Sequence, residues 1–506
     1  MGTIKRSVGL AAALALLNAS LTFYNVWPTP AIRWQGELSL DLVVCLVALV
    51  AARRLVGPPT RRASMALALF WVLLILGRYG EVTAAALYGR DINLFWDVRY
   101  VSDVAAMLTS AASVRLAALA VAGAAAVVIL LYAAMRWAFG RVSAAIADTR
   151  DRRALEVVAA AASIVFLSQQ MTGGSPAVPA FSKPVTATYG RQAMLLAQAL
   201  AAKAGASTLP PSPSAESNLG AVAGADVILV FLESYGAATY DRAEFSERLE
   251  RSRVELESAA RATERDVVSA FVESPTFGGS SWFAHLSLIS GIEVRDPETY
   301  GLLMTEDRET LVTTFTRHDY RTIALMPGLH QKWPEGAFYR FEDIYDLHRL
   351  EYHAWGWGWF AIPDQFSLAR LHQLELAASN RRPVFVFFPT ISTHWPFSPT
   401  APYQPDWQRI LTARPYDDAD IERASVPPDW FNLGPSYVKA VAYAYESLAG
   451  FLQRPASRDF VMIVIGDHQP PAGVSGEGAS WDVPVHVITS RRARSEERRV
   501  GKECRL

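Results

Sequence analysis

The sequence predicts two parts: an N-terminal α-helical transmembrane bundle of about five spans, then an outer α/β domain. Three observations predict it. The chain of 506 residues is 51% hydrophobic, and the excess lies mostly in its first third. From residue 226 onward, short β-rich apolar runs alternate with helix-like stretches, the pattern of a mostly parallel sheet. Several of those runs stop at acidic and imidazole side chains, at the strand ends where open α/β sheets put their ligands.

Apolar segments at about 8–25, 38–52, 64–84, 113–135 and 154–170 approach the roughly 20 residues needed to cross a bilayer. The segments at 38–52 and 154–170 are the short ones. Lys5 and Arg6 precede the first segment. Arg53, Arg54, Arg61 and Arg62 follow the second, and Arg136, Arg141, Arg150, Arg152 and Arg153 follow the fourth. The alternate loops hold only Arg33, then Arg90 and Arg99. The excess of Lys and Arg on the inner side puts the N-terminus in the cytoplasm. Five crossings then carry everything after residue 170 outside. The outer loop 85–105 is rich in aromatics, which suits an interfacial belt or lipid contact.

Composition excludes some classes. With a net charge of −1, no bulk charge argues for nucleic acid as a partner. Two cysteines, Cys45 and Cys504, build neither a disulfide framework nor a Cys-type zinc site.

The expected organisation is a transmembrane domain at 1–170, a linker with an interfacial helix at 171–225, and a catalytic domain at 226–493. The linker holds the helical patch RQAMLLAQALAAKA and the Pro/Ser-rich LPPSPSAESN. The stretch RSEERRVGKEC reads as translated sequencing adapter, so 494–506 is expected to be a non-native tail. In the outer domain DVILVFL, RDVVSAFV, RTIALM, RPVFVFF and DFVMIVI read as strands, with helices at SERLERSRVELESAARAT and YVKAVAYAYESLAGFLQR.

Polar residues end these strands. DVILVFL runs into Glu233 and Ser234, RPVFVFF leads to His394, and DFVMIVI runs through Gly466 into Asp467 and His468. Between them SPTFGGSSWFAHLSLISG reads as a Gly-bearing loop feeding a helix that begins near Ser281. A helix N-terminus offers free N–H groups and favours an anion. A serine hydroxyl there is a weak nucleophile until activated. A divalent metal, zinc or manganese, held by Glu233, Asp467 and His468 would activate it. Each element has a plain structural explanation: a capped turn for Glu233, a helix cap for Ser280 or Ser281, a packed ring for His394. The order Glu, Ser, His, Asp-His is what favours a site.

On LVFLES, LSLISG, STHWPF and the Gly-Asp-His stretch, the chain resembles the membrane-anchored branch of the alkaline phosphatase/sulfatase superfamily, which includes lipoteichoic acid synthase and the phosphoethanolamine transferases. The resemblance covers most of the chain and implies a sulfatase-type, alkaline-phosphatase-like outer domain. Counting back from LSLISG places the nucleophile, also a metal ligand, at Ser281, with Ser280 the near alternative. Glu233, Asp467 and His468 match the other metal ligands, and His394 matches a substrate-side histidine. Within HQKWPEGAFYRFEDIYD, His330, Trp333 and Arg340 are candidates to frame a headgroup, since Arg binds phosphate oxygens in a forked manner.

The resemblance implies a metal-dependent transferase. It would move a phospho-headgroup, glycerophosphate or phosphoethanolamine, from a membrane phospholipid donor to an envelope glycan or glycolipid acceptor. The seat would be the bacterial inner membrane, with the catalytic domain on the periplasmic side. A phosphoester hydrolase or a non-catalytic scaffold are the alternatives. Ser281 is followed by Trp-Phe-Ala-His, not the C/S-x-P-S-R pattern of true sulfatases, so sulfuric ester hydrolysis is not expected. The lack of outer cysteines leans away from phosphoethanolamine transferases, which typically carry disulfides there.

Overall fold

The computed structural model describes residues 2–25, 32–88, 91–98, 114–171, 180–202, 209–213, 216–329, 333–358 and 360–491. The chain forms two compact units: residues 1–85 with 91–205, and residues 86–90 with 206–506.

The first unit is helical. Its helices Gly2–Ala19, Leu40–Leu55, Arg61–Tyr88, Val114–Ala147 and Thr149–Met171 fall on the five apolar segments, the first of which ends instead in a short strand, Phe23–Asn25. Among the described residues only two are long and apolar enough to cross a membrane, Arg61–Ala86 and Ala118–Ala147. The expected five spans are therefore not all met, for physical reasons. Leu40–Leu55 has 16 residues, about 24 Å of helix, short of a bilayer core of about 30 Å. Thr149–Met171 spends its opening turns on Arg150, Asp151, Arg152, Arg153 and Glu156. In the first helix the apolar part is Arg6–Ala19. The helices pack through Leu17, Trp71, Met135 and Phe139, with Trp71 edge-on to Phe139 at 5.3 Å. The aromatic loop 85–105 falls partly, and the tail 494–506 wholly, outside the described residues.

The second unit is built on a seven-stranded sheet. Its strands are β1 (Asp226–Leu232), β2 (Asp266–Glu273), β3 (Arg321–Leu325), β4 (Asp343–Tyr345), β5 (Val384–Pro389), β6 (Phe460–Gly466) and β7 (Asp482–Thr489). They lie in the order β2, β7, β6, β1, β5, β3, β4. The pairs from β6 to β4 are parallel, and β7 runs antiparallel to both of its neighbours. Two reversals leave β2 pointing the same way as β6. The carboxyl ends of β2, β6, β1 and β5 therefore share one edge.

Why β1 reads as seven consecutive apolar or buried positions is plain from its two faces. Strand side chains alternate. Ile228, Val230 and Leu232 pack on one face with Phe245 and Leu249 of α1 (Ala243–Ala262) and with Tyr437 and Tyr445 of α3 (Gly434–Leu452). Val227, Leu229 and Phe231 pack on the other with Phe283, Leu286 and Ile289 of α2 (Ser281–Ser290). A parallel strand covered on both faces has no polar side to show.

Candidate metal and nucleophile site

The shared carboxyl edge gathers the predicted residues. β1 pairs with β6 so that Leu232 stands opposite Gly466. The residues that follow, Glu233 and Asp467, are thereby brought side by side. Gly466 is required for this: a Cβ there would stand 1.9 Å from the carbonyl oxygen of Tyr235. The chain beyond β2 reaches α2 through Gly278, Gly279 and Ser280, all at positive φ. Glycine adopts that region without steric cost, so Gly-Gly makes the tight turn that delivers Ser281 to the edge. The turn is pinned where Gly278 N–H donates to the Gln469 carbonyl at 3.0 Å and the Thr276 hydroxyl donates to the Gly279 carbonyl at 2.6 Å.

Ser281 Oγ donates to Glu233 Oε2 at 2.9 Å and lies 3.1 Å from His468 Nε2. His468 Nε2 is 3.4 Å from Glu233 Oε1 and 3.7 Å from Asp467 Oδ2. Glu233, Asp467 and His468 are 7%, 0% and 1% exposed, so their charges are out of water. Asp467 Oδ1 accepts from the N–H groups of Ser234 at 2.8 Å and His468 at 2.7 Å. Ser234 Oγ donates to Glu233 Oε1 at 3.0 Å, and Glu233 N–H donates to Thr390 Oγ1 at 3.0 Å. His468 Nδ1 lies 2.7 Å from the Gln469 carbonyl. A carbonyl only accepts, so Nδ1 carries the hydrogen and Nε2 is the atom turned to the cluster.

Burial alone would raise both carboxyls. For Glu233 the hydrogen bond and charge of His468 outweigh it and hold the group well below the usual carboxylate range. Asp467, buried and beside the charged Glu233, is pushed well above its ordinary value. Burial lowers His468, yet Asp467 and Glu233 outweigh it and raise the imidazole to about 9. Two buried carboxyls beside one imidazole leave the cluster with an excess of negative charge that favours a cation. The three side chains offer ligand atoms all within 4.8 Å of one another, and the buried Asp467 Oδ2 has no hydrogen-bond partner among the described residues. Two carboxylates, one imidazole and one orphaned oxygen fit a divalent cation, with an O/N donor set suited to zinc or manganese.

The other predicted residues divide. Ser280 occupies the N-cap of α2 and makes no capping side-chain bond; the hydroxyl in the cluster is that of Ser281. His394 sits in the loop after β5, its ring 4.6 Å from Phe360 and its Nδ1 2.7 Å from the Trp395 carbonyl. It is near enough to Glu233 to stabilise that carboxylate's charge. Trp333 instead stacks on Tyr339 at 5.1 Å, and Arg340 is ion-paired with Asp307. Neither is among the residues hydrogen-bonded around Ser281. His330 lies outside the described residues.

Several supporting residues escaped the sequence reading. Thr390 anchors Glu233, and the buried Asp364 accepts from the N–H groups of Ile391 at 2.9 Å and Ser392 at 3.0 Å, shaping the loop that carries His394. His285, one turn beyond Ser281, lies between Phe231 and Phe387, and burial lowers it to about 3. Thr390 alone gave a signal, a polar residue directly after a buried strand.

The sulfatase family model matches residues 283–487. The match begins just past Ser281 and includes His394, Asp467 and His468. No curated protein matches the sequence at a significant level. Among solved structures, the chain is similar to an integral membrane protein, lipooligosaccharide phosphoethanolamine transferase A from Neisseria meningitidis, at 13% identity and a TM-score of 0.49, over 95% of this chain and 88% of that one. It is similar to the lipoteichoic acid synthase LtaP from Listeria monocytogenes at 14% identity and a TM-score of 0.37, over 55% of this chain and 68% of that one. It is also similar to the Streptococcus pyogenes phosphoglycerol transferase GacH, in complex with sn-glycerol-1-phosphate, at 11% identity and a TM-score of 0.35, over 55% of this chain and 71% of that one. The match covers residues 283–487, less than half of the chain, and supports an enzyme of the sulfatase superfamily.

Proposed function

We propose that the enzyme is a metal-dependent transferase that moves a phospho-headgroup, glycerophosphate or phosphoethanolamine, from a membrane phospholipid to an envelope glycan or glycolipid by way of Ser281. The observation that carries this reading is the Ser281 hydroxyl itself. It stands at the start of a helix, bonded to Glu233 Oε2 at 2.9 Å and 3.1 Å from His468 Nε2, beside an orphaned Asp467 oxygen. A structural serine needs no such company. The two long apolar helices support a lipid donor and a seat in the bacterial inner membrane. In this reading the protein is multi-pass, with a cytoplasmic N-terminus and the domain at 226–493 on the periplasmic side.

Glu233, Asp467 and His468, with Ser281, would hold the metal, which when bound supplies a Lewis acid for the serine oxygen and the phosphoryl group. The chain's own residues do the rest. Ser281 Oγ attacks phosphorus and the bond from phosphorus to the diacylglycerol oxygen breaks. The serine proton has an acceptor in reach at Glu233 Oε2, and the departing diacylglycerol oxygen takes up a proton. The first turn of α2 turns N–H groups toward the phosphoryl oxygens. His394, fixed through Nδ1 to the Trp395 carbonyl, keeps Nε2 for the substrate side. An acceptor hydroxyl then attacks the phosphoserine, the bond from phosphorus to Oγ breaks, and Oγ recovers a proton.

The test is mass spectrometry of the full chain incubated with mixed phospholipids and zinc or manganese. A phosphoethanolamine or glycerophosphate adduct on Ser281, absent in Ser281→Ala, is the expected result and names the headgroup. An adduct that discharges only to water would make the enzyme a phosphoester hydrolase. No adduct with either metal would overturn the serine route.

A further inference from the structure

Among the described residues of the second unit, the exposed aromatic side chains lie at two loop tips that touch the same stretch of the site. Trp355 is 52% exposed, and Val426, Trp430 and Phe431 are 58%, 43% and 73% exposed. Both tips lead to the His394–Trp395 pair. Phe360 of the first packs on the His394 ring at 4.6 Å, and Trp430 of the second packs on Trp395 at 5.5 Å. The second tip is also bonded to the site loop directly, Ser398 Oγ donating to the Val426 carbonyl at 2.7 Å.

These tips are held out by construction. Pro427 and Pro428 fix the backbone of the second, and Asp429 Oδ1 accepts from the Phe431 N–H at 3.0 Å. The Asn432 N–H donates to the Asp429 carbonyl at 3.0 Å. Large rings are thus presented to solvent on a stiff turn, at little further cost in ordering. Neither stretch, 355–361 or 425–433, contains a lysine or arginine, so attraction for polyanions does not explain them. Trp and Phe on protruding tips are the residues that settle at the level of lipid headgroups. The same chain carries two helices long and apolar enough to lie in a bilayer, so a lipid surface is the apolar partner always at hand.

We propose that Trp355, Val426, Trp430 and Phe431 form a lipid-facing rim that docks the mouth of the site onto the membrane interface, bringing a phospholipid headgroup to the His394 loop. This rests on the proposed lipid donor for its purpose but not for its test. A nitroxide is placed at Phe431→Cys or Val426→Cys in full-length protein carrying Cys45→Ala and Cys504→Ala. The protein is reconstituted in phosphatidylethanolamine/phosphatidylglycerol vesicles. Leu374→Cys, at another exposed apolar position, is the reference. Rim labels should gain collisions with oxygen and lose collisions with a water-soluble nickel chelate relative to position 374. Rim labels as open to the chelate as position 374 would overturn the docking. Labels shielded from both agents and broadened by each other would also overturn it, in favour of a second copy of this chain. The depth reading involves no catalysis, so failure of the Ser281 chemistry would leave it unchanged.

Discussion

The hydroxyl of Ser281 and the carboxylate of Glu233 meet at 2.9 Å, joining the first residue of α2 to the first residue after β1. The two residues are 48 positions apart in the chain. Only a turn as tight as Gly278–Gly279–Ser280 brings them within hydrogen-bond reach.

If Ser281 is the nucleophile, Ser281→Ala should lower turnover of a phospholipid donor by at least about 10³-fold, while Ser280→Ala stays within about tenfold of wild type. Initial rates of diacylglycerol release measure both. Equal losses in the two variants would point to damage of the turn and not to chemistry.

Metal should stabilise the folded second unit. At free metal a hundred times its Kd the gain is about 2.7 kcal/mol, visible as a fall in Tm on adding a chelator. Asp467→Asn keeps the shape and the acceptor that serves Ser234 and His468 but loses a charge. It should bind less metal by elemental analysis and show little chelator shift.

Asp364 holds the His394 loop by two backbone bonds. Asp364→Ala leaves both N–H groups without their acceptor, at about 1–3 kcal/mol each where burial persists. We expect a raised KM for the lipid with metal content preserved. Lost metal would mean that the damage spreads to Glu233.

Gly466→Ala should be more harmful than an alanine elsewhere in β6. The added Cβ would stand 1.9 Å from a backbone oxygen and 2.9 Å from the Val483 Cβ, and backbone does not yield as a side chain does. Overpacking of this kind costs about 1–3 kcal/mol or more, measurable as a lower Tm together with reduced metal content.

His486 supplies a pH prediction. It is buried between Tyr235 and Ser269, bonded to both, and burial lowers its pKa from 6.5 to about 3. The folded chain therefore binds fewer protons there than the unfolded chain across that range. The stability it contributes is complete above pH 6.5 and is lost as pH falls toward 3, by up to about 1.4 kcal/mol per unit. His285 adds a slope of the same sign. His486→Gln should flatten the fall of Tm between pH 6.5 and 4, and an unchanged slope would count against a neutral buried ring.

Much of this was legible in the sequence, for reasons that can be named. β1, β5 and β6 are apolar runs because both faces are covered, so their ends stood out as the places where Glu233 and Asp467 begin. β4 passed unread because Asp343–Tyr345 is three residues long, too short for any period. Trp333 and Arg340 were ambiguous because aromatic and basic residues suit a headgroup as well as they suit the stack on Tyr339 and the ion pair with Asp307. Asp364 was invisible: it lies at the start of a helix, and its partners are backbone groups of a distant loop.

The place of β6 in the sheet has a consequence for biosynthesis. It fills the gap between β1, made early, and β7, made last. Until the chain has been made as far as His468, β1 lacks one of its two partners and Glu233 lacks Asp467 and His468. Six of the seven strands must therefore be made before the side chains around Ser281 can meet.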